Sequence, residues 1–287
     1  MQVGVVGGGT MGIGIAHQFA ANGSQVTVVD LDRETAQAAV DRVADTLRTA
    51  VDREKLTAEA GRDAIDLVGA ADSIESLPLG MDLIVEAVIE DVTLKQGLLQ
   101  RCESRFPAVL ATNTSSISID QLARNLDRPD QFAGMHFFNP VWAIPLVEVV
   151  RGAATSDETL ARISAVVSFL GMEEAVINDA AGFATSRLGV LVGLESIRMV
   201  EEGVGRPIDI DTAMRLGYRH PMGPLMLGDL VGLDVRLKIA EHLESVYGER
   251  FTPPQLLRTM VADGYLGKKT GRGFYDWSTG SAQPIEE

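Results

Sequence analysis

Short, nearly continuous apolar runs alternate with segments of helical period from Gln2 to Ile177, and beyond Phe183 only the helical period remains. Gln2–Val6, Gln25–Val29, Met81–Val88, Val109–Thr112, Leu146–Val150 and Glu174–Ile177 read as strands, with Asp72–Leu77 and Phe132–Met135 as shorter ones. Between them Ile13, Ala16, Phe19 and Ala20 mark an amphipathic helix. Leu31–Lys55 predicts one long helix, Ile117–Asn125 a short one and Ser156–Leu170 another. This alternation predicts an α/β fold with a doubly wound, mostly parallel sheet. Leu188–Glu202, Ile210–Leu216, Gly228–Gly248 and Pro254–Asp263 predict an all-helical C-terminal domain. The boundary falls near Ala181-Gly182, giving domains 1–181 and 182–287, and the polar tail from Ser278 reads as disordered.

The first strand runs straight into Gly7-Gly-Gly-Thr-Met-Gly12, and the second ends in Asp30. Strand, G-x-G-x-x-G, helix and acid in this order are the context of a Rossmann-type dinucleotide site. Gly7 allows the tight turn, Gly9 lets the backbone approach a pyrophosphate, and Gly12 lets helix and strand pack closely. The helix start at Thr10 and Met11 offers N–H donors and a positive dipole end to the phosphates. Asp30 can accept from both adenosine ribose hydroxyls and would repel a 2′-phosphate, which favours NAD over NADP despite nearby Arg33.

A second constellation lies in Phe132–Arg151. His136 follows one apolar run, Glu148 sits inside another, and Pro140 and Pro145 break the chain between them, so the two strands can lie side by side. A carboxylate inside an apolar strand is costly unless paired. A His held by a Glu in a dry place suits an oriented general acid/base; the other reading is a core His satisfied by its neighbour. Asn113-Thr-Ser-Ser116, at the end of a strand, either caps the following helix or presents hydroxyls to a ligand.

Composition narrows the field. A formal net charge of −15 argues against nucleic acid as partner, because phosphate contacts call for clustered Lys and Arg. In a chain this acidic, Arg33, Arg42, Arg48 and Arg53 on the long helix are the best candidate for a local positive patch. No apolar run approaches the roughly 20 residues of a membrane span. Cys102 is the lone cysteine and no basic leader precedes the first strand, which together point to a cytoplasmic protein. The four histidines show no ligand spacing and no C-x-x-C occurs, so no metal is expected. A marginal helical domain implies pressing against the first domain or against another subunit, and a homodimer through the C-terminal helices is expected.

Gly7-x-Gly-x-x-Gly12, Asn113-Thr-Ser-Ser116, His136-Phe-Phe-Asn-Pro140, Pro221-Met-Gly-Pro-Leu225 and Lys268-Lys-Thr-Gly-Arg-Gly-Phe-Tyr275 occur in an order that resembles the L-3-hydroxyacyl-CoA dehydrogenases, most of all their bacterial 3-hydroxybutyryl-CoA branch. The resemblance runs to Trp277. It implies NAD as cofactor and an acyl-CoA substrate, with His136 exchanging the proton on the substrate's 3-oxygen and Glu148 orienting it. It further implies Ser115 on that oxygen, Asn139 near nicotinamide and substrate, Glu90, Lys95 and Lys269 on NAD, and Thr46 and Arg53 on CoA. One position departs from the family. Where it reads Gly-Phe-x-x-Asn-Arg with a substrate-binding Asn, this chain has Gly182-Phe-Ala-Thr-Ser-Arg187, so Ser186 takes that place with a shorter side chain and no amide fork. Two other readings stand beside this one: a crystallin-like dehydrogenase of a 3-hydroxy acid without CoA, and a nucleotide-binding relative without activity.

Overall fold

The computed structural model describes residues 1–285 as two compact units, Met1–Phe183 and a second from Ala184 onward. In the first, β1 (Gln2–Val6), α1 (Thr10–Ala21), β2 (Gln25–Val29), α2 (Arg33–Asp52), α3 (Ala58–Asp66) and β3 (Val68–Ala71) form the opening half. Then come β4 (Leu83–Glu86), α4 (Val92–Glu103), β5 (Leu110–Thr112), α5 (Ile119–Ala123), β6 (Phe132–Phe137), β7 (Leu146–Arg151), α6 (Asp157–Phe169) and β8 (Glu173–Asn178). The eight strands make one sheet in the order β3-β2-β1-β4-β5-β6-β7-β8. All neighbours run parallel except β6 and β7, whose antiparallel register sets His136 opposite Glu148. Helices cover both faces, so Val3, Val5, Leu83 and Val85 on one side and Ile84, Leu110 and Phe132 on the other lie in two apolar cores.

Four expectations are corrected. The helix expected over Leu31–Lys55 begins at Arg33, because the Asp32 side chain accepts from Thr35 N at 2.8 Å and caps it. Glu54 turns it off with φ +57, and α3 follows as a separate helix. The strand expected at Asp72–Leu77 is instead β3 at Val68–Ala71; Ile74 and Leu77 are buried from a single 3-10 turn, which imitates the apolar spacing of a strand. In the second unit, α7 (Thr185–Glu201), α8 (Pro207–Gly217), α9 (Pro224–Val231), α10 (Leu233–Tyr247) and α11 (Gln255–Ala262) pack together. The one helix expected over Gly228–Gly248 is split into α9 and α10 by Gly232, whose φ of +102 a helix cannot contain. The tail expected to be disordered pairs back, with β9 (Tyr275–Asp276) antiparallel to β10 (Gln283–Pro284). Its last two residues lie outside the described ones.

Candidate active site

The cofactor end of the first unit is assembled from β1 and its neighbours. Gly7 has φ +109, and a Cβ there would lie 2.6 Å from the Ala87 carbonyl oxygen. A Cβ on Gly12 would overlap the Gly7 carbonyl, and one on Gly8 would press on Asp30. Those glycines are explained by the chain's own packing. Gly9 is not: a Cβ there meets nothing within 4 Å, and Gly9 precedes an α1 N-terminus that no side chain caps. Open space over uncapped N–H donors fits a bound pyrophosphate. Asp30 accepts from Gly8 N at 2.6 Å and Leu31 N at 2.7 Å, which fixes its carboxylate while leaving lone pairs for ribose hydroxyls. Leu31 and Ile89, 90% and 73% exposed, follow the ends of β2 and β4 on either side of the glycine loop. They offer apolar walls to an adenine, and sequence reading passed over them although each stands beside a singled-out acid.

The reaction end lies two strands away. His136 Nδ1 and Glu148 Oε2 are 2.8 Å apart, both side chains buried between paired strands. A carboxylate only accepts, so Nδ1 donates and Nε2 is the nitrogen left to take or give a proton. Phe138 and Phe183 pack on the imidazole at centroid distances of 4.5 and 5.8 Å. Apolar walls and a strand-to-strand hydrogen bond hold the ring in one orientation. Asn139 is exposed at the start of the turn that follows.

Asn113 ties the serine turn to this strand, its Oδ1 accepting from Phe137 N at 2.9 Å. Glu90 then gathers the turn: one carboxylate oxygen accepts from Thr114 Oγ1 at 2.6 Å, Ser115 N at 2.9 Å, Ser116 N at 3.0 Å and Ser116 Oγ at 3.0 Å, with Ser115 Oγ at 3.4 Å. Burial pushes the Glu90 pKa up, but the Thr114 hydrogen bond, the Lys95 charge and the turn's other donors outweigh it and hold it below the usual carboxylate value. Lys95, expected to contact NAD, is buried under the turn. Its ammonium reaches Glu86 Oε1 at 2.7 Å, the Val88 carbonyl at 3.2 Å and Glu90 Oε2 at 3.3 Å. Two hydrogen bonds fix the ammonium, and the ion pair pins Glu90. Glu86, fully buried, also accepts from Thr112 Oγ1 at 2.6 Å.

Thr46 and Arg53 lie on and just after α2, Thr46 half-buried and Arg53 exposed. The expected positive patch is corrected by counting. Between residues 33 and 55, Arg33, Arg42, Arg48, Arg53 and Lys55 are matched by Glu34, Asp41, Asp45, Asp52 and Glu54. Arg48 is moreover paired with Asp45 at 2.7 Å. Among the described residues no cluster suits a metal ion, and no helix is long and apolar enough to cross a membrane.

In the second unit Ser186 sits in the first turn of α7, half-buried, and Lys269 Nζ is 2.5 Å from Asp234 Oδ1. Two carboxylates missed in the sequence explain two of its motifs. Asp211 accepts from Leu225 N, Met226 N and Tyr275 Oη at 2.9, 2.8 and 2.8 Å. Asp229 accepts from Phe274 N, Tyr275 N and Trp277 Nε1 at 3.0, 2.9 and 2.9 Å. The 221–225 and 268–275 segments are thus knotted by buried acids, legible only as an acid one helical turn from an apolar stripe.

Residues 2–180 match the NAD-binding domain profile of 3-hydroxyacyl-CoA dehydrogenase, and residues 182–277 match the C-terminal domain profile of the same family. The chain belongs to the 3-hydroxyacyl-CoA dehydrogenase family. It is 41% identical over 281 residues to a 3-hydroxybutyryl-CoA dehydrogenase of Mycobacterium tuberculosis, covering 96% of this chain and 98% of that one. A 3-hydroxybutyryl-CoA dehydrogenase of Bradyrhizobium diazoefficiens is 39% identical, with 99% and 97% covered. The crystal structure of an (S)-3-hydroxybutyryl-CoA dehydrogenase from Ralstonia eutropha superposes with a TM-score of 0.89 at 39% identity, covering 96% of this chain and 98% of that one. Within this family the N-terminal unit is the NAD-binding one, and the open Gly9 and fixed Asp30 fit that cofactor.

Proposed function

We propose that the protein interconverts an L-3-hydroxyacyl-CoA and the corresponding 3-ketoacyl-CoA, with His136 as general acid/base. The observation that carries this reading is the 2.8 Å contact of His136 Nδ1 with buried Glu148. NAD, when bound, supplies or receives the hydride at C3 of the substrate. His136 Nε2 takes the proton from the 3-hydroxyl in oxidation and returns it in reduction. Glu148 keeps the Nδ1–H tautomer in place and stabilises the imidazolium that forms. Ser115 donates to the substrate oxygen where charge develops, from a turn that Glu90 and, through it, Lys95 hold in place. Gly7, Gly9, Thr10, Met11, Gly12 and Asp30 bind the dinucleotide, and Asn139 faces substrate and nicotinamide. Ser186, Lys269, Thr46 and Arg53 are assigned to substrate and cofactor on the family resemblance.

The enzyme works in the cytoplasm on short acyl-CoA esters of fatty-acid or butanoate metabolism. It acts as a homodimer through the C-terminal domain, where α7 exposes Leu188 and α9 exposes Leu227, Leu230 and Val231. The balanced charge of α2 favours a second reading, a 3-hydroxy acid without the CoA handle. Measuring NADH consumption with acetoacetyl-CoA, free acetoacetate and, as cofactor control, NADPH separates the two. Turnover of the CoA ester alone with NADH is expected. Turnover of the free acid at equal rate would contradict the thioester reading.

A further inference from the structure

The turn between β6 and β7 opens immediately beyond His136-Phe137 and carries Asn139 and Trp142. It is rigid. Ala143 N and Ile144 N both donate to the Pro140 carbonyl, at 3.0 and 3.1 Å. Val141 is buried in a notch of α1 that exists because residue 14 is glycine; a Cβ there would lie 2.7 Å from Val141 Cγ2. One turn further along α1, His17 meets the Trp142 ring at a centroid distance of 4.9 Å and a tilt of 42°. His17 is itself fixed, its Nδ1 2.8 Å from Thr46 Oγ1. The Thr46 hydroxyl donates its hydrogen to the Val43 carbonyl at 2.7 Å, so its oxygen accepts from Nδ1–H and Nε2 is the ring's acceptor. Burial holds the His17 pKa down at about 4, so the ring is neutral at pH 7.

All of this fixes one face of an indole that remains 46% exposed. Here ordering the side chain costs entropy and leaves apolar surface in water, a combination that is recovered when a ligand covers the free face. The charge balance of α2 says what kind of ligand segment that is. Residues 33–55 carry no net positive charge to draw phosphates, whereas an indole face with an imidazole acceptor beside it suits a chain of methylene, methyl and amide groups.

Resting on the thioester reading above, we propose that Trp142 is a specificity-determining residue whose exposed face receives the pantetheine arm of the substrate. His17 is its positioning residue. The arm leaves the reacting carbonyl at His136 and passes over the turn that begins there. Recognition is by apolar contact and amide hydrogen bonding, and the nucleotide end contributes less.

The test compares the natural protein with Trp142→Ala and Trp142→Phe, using NADH with acetoacetyl-CoA, acetoacetyl-pantetheine and the armless ethyl acetoacetate. Trp142→Ala is expected to raise KM for both arm-bearing esters about tenfold. Its kcat/KM for the armless ester should fall less than twofold, and Trp142→Phe should recover most of the difference. An equal loss with all three esters, or none with the arm-bearing ones, would overturn the proposal. A binding readout separates it from the reaction itself. Pantetheine should quench tryptophan fluorescence in the natural protein and not in Trp142→Phe, and equal quenching in both would refute the contact. If acetoacetyl-CoA is not turned over by the natural protein, the function reading fails while the fluorescence result still decides the arm contact.

Discussion

The buried acids of the two units answer the same problem in different ways. In the first unit Glu148 is set against a histidine, and Glu86 and Glu90 share a lysine. In the second, Asp211 and Asp229 each take three donors, all of them backbone N–H groups or aromatic N–H and O–H groups. A carboxylate that accepts from one nitrogen of an imidazole can steady the ring while its other nitrogen takes or gives a proton. One saturated by neutral donors cannot move a proton without leaving its donors unmatched, and it serves as a staple. Motifs that look equally diagnostic in the sequence thus hold the proposed acid/base pair in one place and architecture in another. Burial first, and then the Asp211 charge, push the Asp229 pKa up, and its three donors do not fully offset them. In Glu90 the hydrogen bonds and the lysine outweigh burial.

Substitutions can break this contrast. The largest expected effect is on Glu148→Gln, which should lower kcat about 300-fold, roughly 3.4 kcal/mol of transition-state stabilisation, with NADH affinity retained. Stopped-flow hydride transfer measures it, and a rate within threefold of the natural one would make Glu148 a staple too. Asp229→Asn should do the reverse. It leaves donors among Phe274 N, Tyr275 N and Trp277 Nε1 unmatched and should cost about 3 kcal/mol of stability, read by urea unfolding. NADH binding by the folded protein should persist, and an unchanged unfolding midpoint would remove its role as a staple.

The acid side sharpens the comparison further. The folded pKa of His17 lies at about 4, below the 6.5 of the unfolded chain, so between those values only the unfolded chain binds the proton. Its contribution is fully present above pH 6.5 and is lost as pH falls toward 4, about 2 kcal/mol by pH 5. Unfolding of the natural protein and of His17→Phe at pH 7.5 and pH 5 measures the difference. Parallel losses in both would assign the acid sensitivity to other groups.

Much of the fold was legible in the sequence where one pattern did one job. β1, the glycine turn and β2 with Asp30 followed from a short apolar run, three glycines and a terminal acid. The pairing of His136 with Glu148 followed from two apolar runs with prolines between them. Legibility failed where two physical causes give the same pattern. Ile74 and Leu77 are apolar because a 3-10 turn buries them, while the true strand beside them is the weakly patterned Val68-Gly-Ala-Ala71. The arginines of α2 suggested a charged face until their acidic neighbours were counted. Glu90 as a gathering point for five groups of the serine turn, and Trp142 resting on His17, depend on chain segments far apart in sequence. No local period encodes such contacts.

The measurement that bears most directly on the account is single-turnover oxidation of NADH by acetoacetyl-CoA with the natural protein and His136→Ala, beside an NADH titration of both. Loss of about a thousandfold in hydride transfer at unchanged NADH affinity is the predicted result. Transfer at the natural rate in His136→Ala would contradict it, since the proton on the 3-oxygen would then be handled by some group other than the His136–Glu148 pair.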